Sequence, residues 1–370
     1  MKRKVLIIHD SMEGGGAERV LVTLLSNIDL NRFDITLLLI NNVGVFLPRI
    51  PAKVKVIGMY DRPKSLYYRL ITHFYGPRNF LRERRARKLL GNNRFDVTVS
   101  FMEGAPACLH QQLSDLASEN ITWVHNDLHR GRWYDFWFHK TDETRFYRSV
   151  GKIAFVSGDA LKSFQKIFDT PATLRVIYNP VDSSHIRSQA TAEKNLSDGR
   201  FTIVNVGRFV PQKNHHRLIE AAEILRNKGC DFVIKLLGSG PLEDRIKEEV
   251  KKRGLENYVE FLGFRANPFP VVADASVFCM TSDYEGYPMV ITEALTLGVP
   301  VVATPVTGVK EMLAHGGGIL TSLEASDIAD TLEGLIRNPE QLSALKADAA
   351  TSSGQFDMAA IMGQITEFLG

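Results

Sequence analysis

The chain has 370 residues, more than twice the usual ~150-residue domain, so one small module is excluded and two domains are expected. With 44% hydrophobic, 24% charged and 9% aromatic residues it is not a disordered, collagenous or all-membrane chain. The net charge of +3 hides an asymmetry: residues 1–180 carry 27 Lys and Arg against 17 Asp and Glu, and residues 181–370 carry 18 against 25. On charge alone, nucleic acid and an anionic lipid surface both stay open as partners of the basic half.

Cys108, Cys230 and Cys279 are odd in number and far apart, which points to neither a disulfide framework nor a thiolate metal site and fits a reducing compartment. The start, MKRKVLIIHD, runs into an apolar stretch ended by Asp10 that is too short for a signal-peptide core, so a cytoplasmic location is expected. No apolar run approaches the ~18 residues of a membrane span.

In chain order, short β-branched runs alternate with helical-period segments, the pattern of parallel sheets built from βαβ units. Strands are expected at 5–9, 35–40, 54–58, 97–101, 122–125, 153–156 and 176–178. The loop EGGGAER (Glu13 to Arg19) follows the first strand; Gly14, Gly15 and Gly16 permit close backbone approach by a ligand, or simply a tight turn. It is not a dinucleotide fingerprint, because Arg19 stands where the third glycine belongs. Val20, Leu21, Leu24, Leu25 and Ile28 then form one helical stripe.

Residues 62–88 hold nine Lys and Arg against Glu83 alone, interleaved with Tyr67, Tyr68, Phe74, Tyr75 and Phe80. That composition suits an anionic membrane, and a solvated basic helix is the other reading. His125 lies at a strand end in WVHND, and Trp133, Tyr134, Phe136, Trp137 and Phe138 follow it, as a sugar or lipid platform or as core. The polar stretch from Ser183 to Arg200 reads as a boundary or linker.

A second set of strands is expected at 202–206, 232–237, 259–262, 276–280 and 300–303. Two doubly wound sheets, facing each other across one ligand cleft, follow from the pattern. After the first of these strands comes NVGRFVPQKN, where Gly207 allows close approach and Arg208 and Lys213 are two cations suited to a diphosphate. Gly238 and Gly240 fail as a dinucleotide fingerprint because Glu243 replaces the third glycine. In SVFCMTSDYEGYPMVITEALTLGVPVVA, Pro288 suits the first turn of a helix whose free N–H groups, from Tyr287 to Val290, form an anion site. Glu285 precedes that helix and Glu293 lies one turn inside it. Walker, H-E-x-x-H and G-x-S-x-G motifs are all missing. The last helical stretch, from Met358 to Leu369, is expected to cross back onto the first domain.

Together, E-G-Y-P-M-V-I-T-E, Gly207-Arg208 with Lys213, Gly238-x-Gly240-Pro241, the GGGAER loop and Asn179-Pro180-Val181-Asp182 resemble the retaining glycosyltransferases of the GT4 type with the GT-B fold. The resemblance spans nearly the whole chain and is strongest over 201–320. It implies an acceptor-binding Rossmann-like domain over 1–180, a nucleotide-sugar-binding one over 181–354 and a returning helix over 355–370. Arg208 and Lys213 would grip a diphosphate, and Glu293 the ribose. Glu285 with the backbone of Gly286, Tyr287, Pro288 and Met289 would orient the donor sugar. Phe264 and Arg265 would lie by the base, His125 near the donor sugar, and Gly14, Gly15 and Gly16 would leave room for diphosphate and acceptor.

The expected activity is thus retaining transfer of a hexose or N-acetylhexosamine from a nucleoside-diphosphate sugar, UDP-linked, to a saccharide or lipid-linked saccharide in polysaccharide or glycolipid assembly. With two cations and a helix start at the leaving group and no D-x-D motif, neither a cofactor nor a divalent metal is expected. A sugar-nucleotide epimerase of the same fold is the first alternative, and a nucleic-acid-binding protein using the basic N-terminal half the lesser one. No nucleic-acid-binding module is recognisable, so no nucleic acid partner is expected.

Overall fold

The structure, a computed structural model, describes residues 1–61, 80–129, 140–192, 199–352, 354 and 356–370. The aromatic run 133–138 and residues 62–79 of the basic segment lie outside the described residues. The chain divides into two compact units: Met1–Pro180 together with Met358–Gly370, and Val181–Asp357.

The first unit contains β1 (Arg3–His9), α1 (Gly16–Asn27), β2 (Phe33–Asn41), β3 (Lys55–Tyr60), α2 (Phe80–Leu90), β4 (Phe95–Ser100), α3 (Ala105–Leu113), β5 (Ala117–Val124), α4 (Lys140–Ser149), β6 (Lys152–Phe155), α5 (Gly158–Gln165) and β7 (Thr173–Val176). Its strands are all parallel, in the order β3-β2-β1-β4-β5-β6-β7. Parallel strands are covered by helices on both faces, so their side chains are apolar throughout rather than alternating. β1 and β2 show this: Val5, Leu6, Ile7, Ile8, Leu37, Leu38, Leu39 and Ile40 are all buried. One face packs Leu6, Ile8, Leu38 and Ile40 against Ala86, Leu90, Leu109 and Leu113 of α2 and α3. Farther along the sheet, Phe155 meets Phe146, Tyr147, Phe164 and Phe168.

The second unit runs α6 (Ser183–Ala190), β8 (Phe201–Val206), α7 (His215–Asn227), β9 (Phe232–Leu237), α8 (Glu243–Lys252), β10 (Val259–Gly263), α9 (Phe269–Ala273), β11 (Val277–Met280), α10 (Met289–Thr296), β12 (Val301–Ala303), α11 (Val309–Met312), β13 (Gly318–Leu320), α12 (Ala325–Arg337) and α13 (Pro339–Ser352). Its strands are again parallel, in the order β10-β9-β8-β11-β12-β13. Its core gathers Ile203, Leu218, Leu225, Phe232, Ile234, Leu332 and Leu335.

Two expectations are corrected here. The stretch expected as a boundary or linker does follow the division of the chain at Pro180 and Val181, but it is not a plain linker: it begins with a helix, α6, whose cap residue Asp182 accepts from the His185 N–H at 2.9 Å. The structure also adds the edge strand β13, which was not expected. Each sheet reverses its order once, between β1 and β4 in the first unit and between β8 and β11 in the second. Such switch points leave a crevice at the carboxyl ends of the strands.

The terminal helix, α14 (Met358–Leu369), belongs to the first unit. Phe368 meets the Trp123 ring edge-on at 5.6 Å, and the Lys152 ammonium lies 5.5 Å above the Phe368 ring while bonding its carbonyl at 2.9 Å. Arg175 and Glu367 form an ion pair at 2.8 Å. Phe368 is fully enclosed, so Phe368→Ala is expected to destabilise the first unit by about 3–5 kcal/mol, the usual loss for a buried phenylalanine. Scanning calorimetry checks this: an unchanged profile would show that α14 contributes nothing to that unit.

Candidate functional site

In the second unit the switch point is built from the loops after β8 and β11. After β8 the chain passes Gly207 and Arg208 into a 3-10 turn, Pro211–Lys213, and then Asn214, a non-glycine residue in the left-handed region at φ 42°. Asn214 caps α7 by accepting from the Arg217 N–H at 3.2 Å. The loop is braced from below: a side chain at Gly238 (φ +141°) would drive into the Gly207 carbonyl, and one at Gly240 into the Phe209 backbone. Gly207 itself has ordinary clearance, with the Lys213 stem 3.5 Å from where a Cβ would stand, so its proposed close approach is not forced by the protein.

The two loops are joined by polar side chains. Glu285, only 6% exposed, accepts from Lys213 Nζ at 2.5 Å, Ser282 Oγ at 2.7 Å and Gln212 Nε2 at 3.4 Å. Gln212 also donates to the Tyr284 carbonyl at 2.9 Å. Asp283 accepts from Arg217 at 2.8 Å and from Asn214 at 3.1 Å, and its N–H bonds the Gln212 carbonyl. Lys213 and Glu285, separately assigned to diphosphate and sugar, are therefore partners of each other. The Arg208 side chain is exposed and has no hydrogen-bond or ion-pair partner among the described residues.

Pro288 is the cap residue of α10 rather than its first residue, and it offers no side-chain acceptor to the amides of Met289 and Val290. The helix start therefore keeps uncapped N–H donors beside Glu285, Gly286 and Tyr287. Glu293 is buried within α10, and Phe264, 55% exposed beside Arg265, follows β10. Gln212, Ser282 and Asp283 were not expected at this site; their signal was position alone, in the two loops flanking the switch.

In the first unit, Gly15 is the cap of α1 and Gly16 its first residue. The Glu18 carboxylate covers Gly15, so part of the room expected there for a diphosphate holds a negative side chain. The loop is clasped by the one after β2: Gly44, at φ +129°, lies so close to Met12 that no side chain fits, and Met12 exchanges backbone bonds with Val43 and Phe46.

His125 follows β5 and is buried. Its N–H donates to the Glu103 carboxylate at 2.9 Å, and Asn126 donates to the other Glu103 oxygen. Burial holds the Glu103 carboxyl above the usual carboxylate range. Burial, with the neighbouring His9, pushes His125 down to about 3; burial alone pushes His9 down to about 4. Glu103 and His9 also escaped the sequence reading. Of the basic segment, Arg82 is buried, Arg87 pairs with Glu83 and Asp115, and Arg85 bonds the Met59 carbonyl and covers Tyr60. Among the described residues of that segment, Arg84, Arg85 and Lys88 are exposed, beside Leu81 and Leu89.

Among the described residues no cluster of three or more His, Cys, Asp and Glu is placed to hold a metal, and no helix is long and apolar enough to cross a membrane.

Four buried histidines set a pH dependence: His110 and His215 are pushed down to about 4, as is His9, and His125 to about 3, each chiefly by burial. Unfolded histidines titrate near 6.5, so below that pH the unfolded chain binds more protons and the fold loses stability. Each ring accounts for up to about 3 kcal/mol by pH 4, partly offset by the raised carboxyls Asp10 and Glu103. Urea unfolding midpoints should therefore be highest above pH 6.5 and fall steadily toward pH 5; a flat profile would contradict neutral buried rings.

Residues 14–185 match the family described as Glycosyltransferase Family 4, and residues 187–351 the one described as Glycosyl transferases group 1. An uncharacterized glycosyltransferase of Haemophilus influenzae is 25% identical over 353 residues, covering 92% of each chain. The N-acetylgalactosamine-N,N'-diacetylbacillosaminyl-diphospho-undecaprenol 4-alpha-N-acetylgalactosaminyltransferase of Campylobacter jejuni is 24% identical over 383 residues, covering 99% of each. The crystal structure of Anabaena HepE in complex with UDP superposes with a TM-score of 0.74 at 23% identity, over 100% of this chain and 99% of that one. Two doubly wound parallel sheets and family matches that between them span 14–185 and 187–351 make this chain a member of the family 4, group 1 glycosyltransferases, with the GT-B fold.

Proposed function

We propose that the chain moves a hexose or N-acetylhexosamine from a UDP-linked sugar, with retention and without a divalent metal, to a saccharide or lipid-linked saccharide in polysaccharide or glycolipid assembly. One observation carries the reading: Arg208, Lys213 and the uncapped start of α10 all stand at the switch point of the second sheet. The complex of HepE with UDP supports the nucleotide, and the name of the Campylobacter relative supports a lipid-linked acceptor.

Breaking the bond from sugar to diphosphate builds negative charge on the leaving oxygen and positive character on the sugar. Fixed cations and helix-terminal N–H groups lower that barrier most where they are already oriented. Lys213 is oriented by Glu285, and Arg208 is unencumbered by any partner among the described residues. In this reading Arg208 and Lys213 hold the diphosphate, Glu285 with the backbone of Gly286 to Met289 orients the sugar, Glu293 bonds the ribose, Phe264 and Arg265 flank the base, and His125 contacts the sugar. The acceptor hydroxyl attacks from the face the leaving group departs. Its proton passes to the leaving phosphate oxygen as the new glycosidic bond forms.

Arg208→Ala is expected to lower turnover about 100-fold, the scale of one lost electrostatic donor, without shifting the unfolding midpoint, because its exposed side chain has no hydrogen-bond or ion-pair partner among the described residues. Lys213→Ala and Glu285→Ala should lose as much turnover and also destabilise, since each removal strands a partner of a largely buried pair. Assays follow UDP release and product stereochemistry. Conversion of donor sugar without release would identify an epimerase instead, and near-normal rates in Arg208→Ala would reject the assignment.

Peripheral contact with an anionic membrane, through Leu81, Arg84, Lys88 and Leu89 among the described residues, belongs to the same proposal. The protein should co-sediment with phosphatidylglycerol vesicles, less so as salt rises; binding indifferent to lipid charge would dismiss the contact.

A further inference from the structure

The first sheet has its own switch point, between β1 and β4, and four residues lie near it: His9 ends β1, Phe101 and Glu103 follow β4, and His125 follows β5. His9 and Phe101 are neighbours across the strands, with ring centroids 6.0 Å apart at 70°, and the Phe101 and His125 rings are 5.0 Å apart at 52°. His9 is 1% exposed, and neither of its ring nitrogens has a partner among the described residues; the same holds for Nε2 of His125. A ring required only for packing would be better served by phenylalanine, since a buried polar atom without a partner is destabilising. By contrast His110, equally buried, has both nitrogens engaged, with Ser100 and Asn120.

We propose that His9 and His125 together form a sugar-hydroxyl-binding site at the switch point of the first unit, with Glu103 as the positioning residue that fixes the His125 turn. An imidazole without net charge presents one donor and one acceptor, which matches a hydroxyl that both donates and accepts. A phosphate is disfavoured, because the rings are held uncharged and the nearby Glu103 is acidic. The inference deepens the transferase reading and rests on it: that reading assigns a sugar to His125 and says nothing of His9.

The test uses the full chain and His9→Phe, which keeps an aromatic ring against Phe101 and removes both ring nitrogens. Wild type and variant are titrated calorimetrically with UDP, UDP-glucose, UDP-N-acetylglucosamine and UDP-N-acetylgalactosamine. They are then assayed for UDP release with methyl glycosides of the same three sugars as acceptors. The expected result is unchanged affinity for UDP and an unfolding midpoint equal to or above that of wild type. Alongside this, at least a 10-fold loss appears either in binding of the nucleotide sugar relative to UDP, if the hydroxyl belongs to the donor, or as a raised KM for the methyl glycoside, if it belongs to the acceptor. His9→Gln, which retains a donor and an acceptor, should recover part of the loss. Equal handling of every ligand by His9→Phe, or parallel losses of UDP affinity and stability, would overturn the proposal alone. A wild type that binds no nucleotide sugar would overturn the transferase reading and this site with it.

Discussion

A nearly enclosed carboxyl group needs hydrogen-bond partners in place of water, and Glu285 finds them in the Lys213 ammonium, the Ser282 hydroxyl and the Gln212 amide. Much of the second unit's geometry follows from this requirement. To reach Glu285, the loop after β8 folds into a 3-10 turn, and Asn214 enters the left-handed region so that α7 can start at once. Arg217 and Asn214 then tie Asp283 to the same loop, and Gly238 and Gly240 let the next loop slide beneath it. Two segments about 70 residues apart thus become one rigid edge, with the lysine preset in direction.

The first unit solves its corresponding edge by a different chemistry. Where the second concentrates charge, the first places uncharged imidazoles around Phe101 and uses its carboxylate, Glu103, on backbone and amide N–H groups instead of on a cation. Burial enforces the distinction, since it penalises the ionised form of every group there. In the proposed reaction the same contrast separates the binding of a diphosphate from the binding of neutral pyranose rings.

The strands were legible because parallel strands covered on both faces read as unbroken apolar runs, as in VLII (5–8) and LLLI (37–40). β13 was not, being three residues preceded by glycines, and α6 buries only Ile186, too little to mark a helix in a polar stretch. At the site, Glu285, Arg208 and Lys213 could be chosen from residue type and neighbouring strand ends. Their connection could not, because the pairing of Lys213 with Glu285 depends on strand order, which the local pattern does not encode. The same blindness hid the enclosure of Arg82 inside a segment that looked uniformly cationic, and the unpartnered state of His9, whose strand neighbours are all apolar.

The first unit is also interrupted in the chain, with its closing helix encoded after the whole of the second. During synthesis the ribosome must therefore release the 177 residues of another unit before α14 can seat on Trp123, Lys152 and Arg175. Until then the Trp123 ring that Phe368 covers lacks that cover, an invitation to chaperones or to a neighbouring nascent chain.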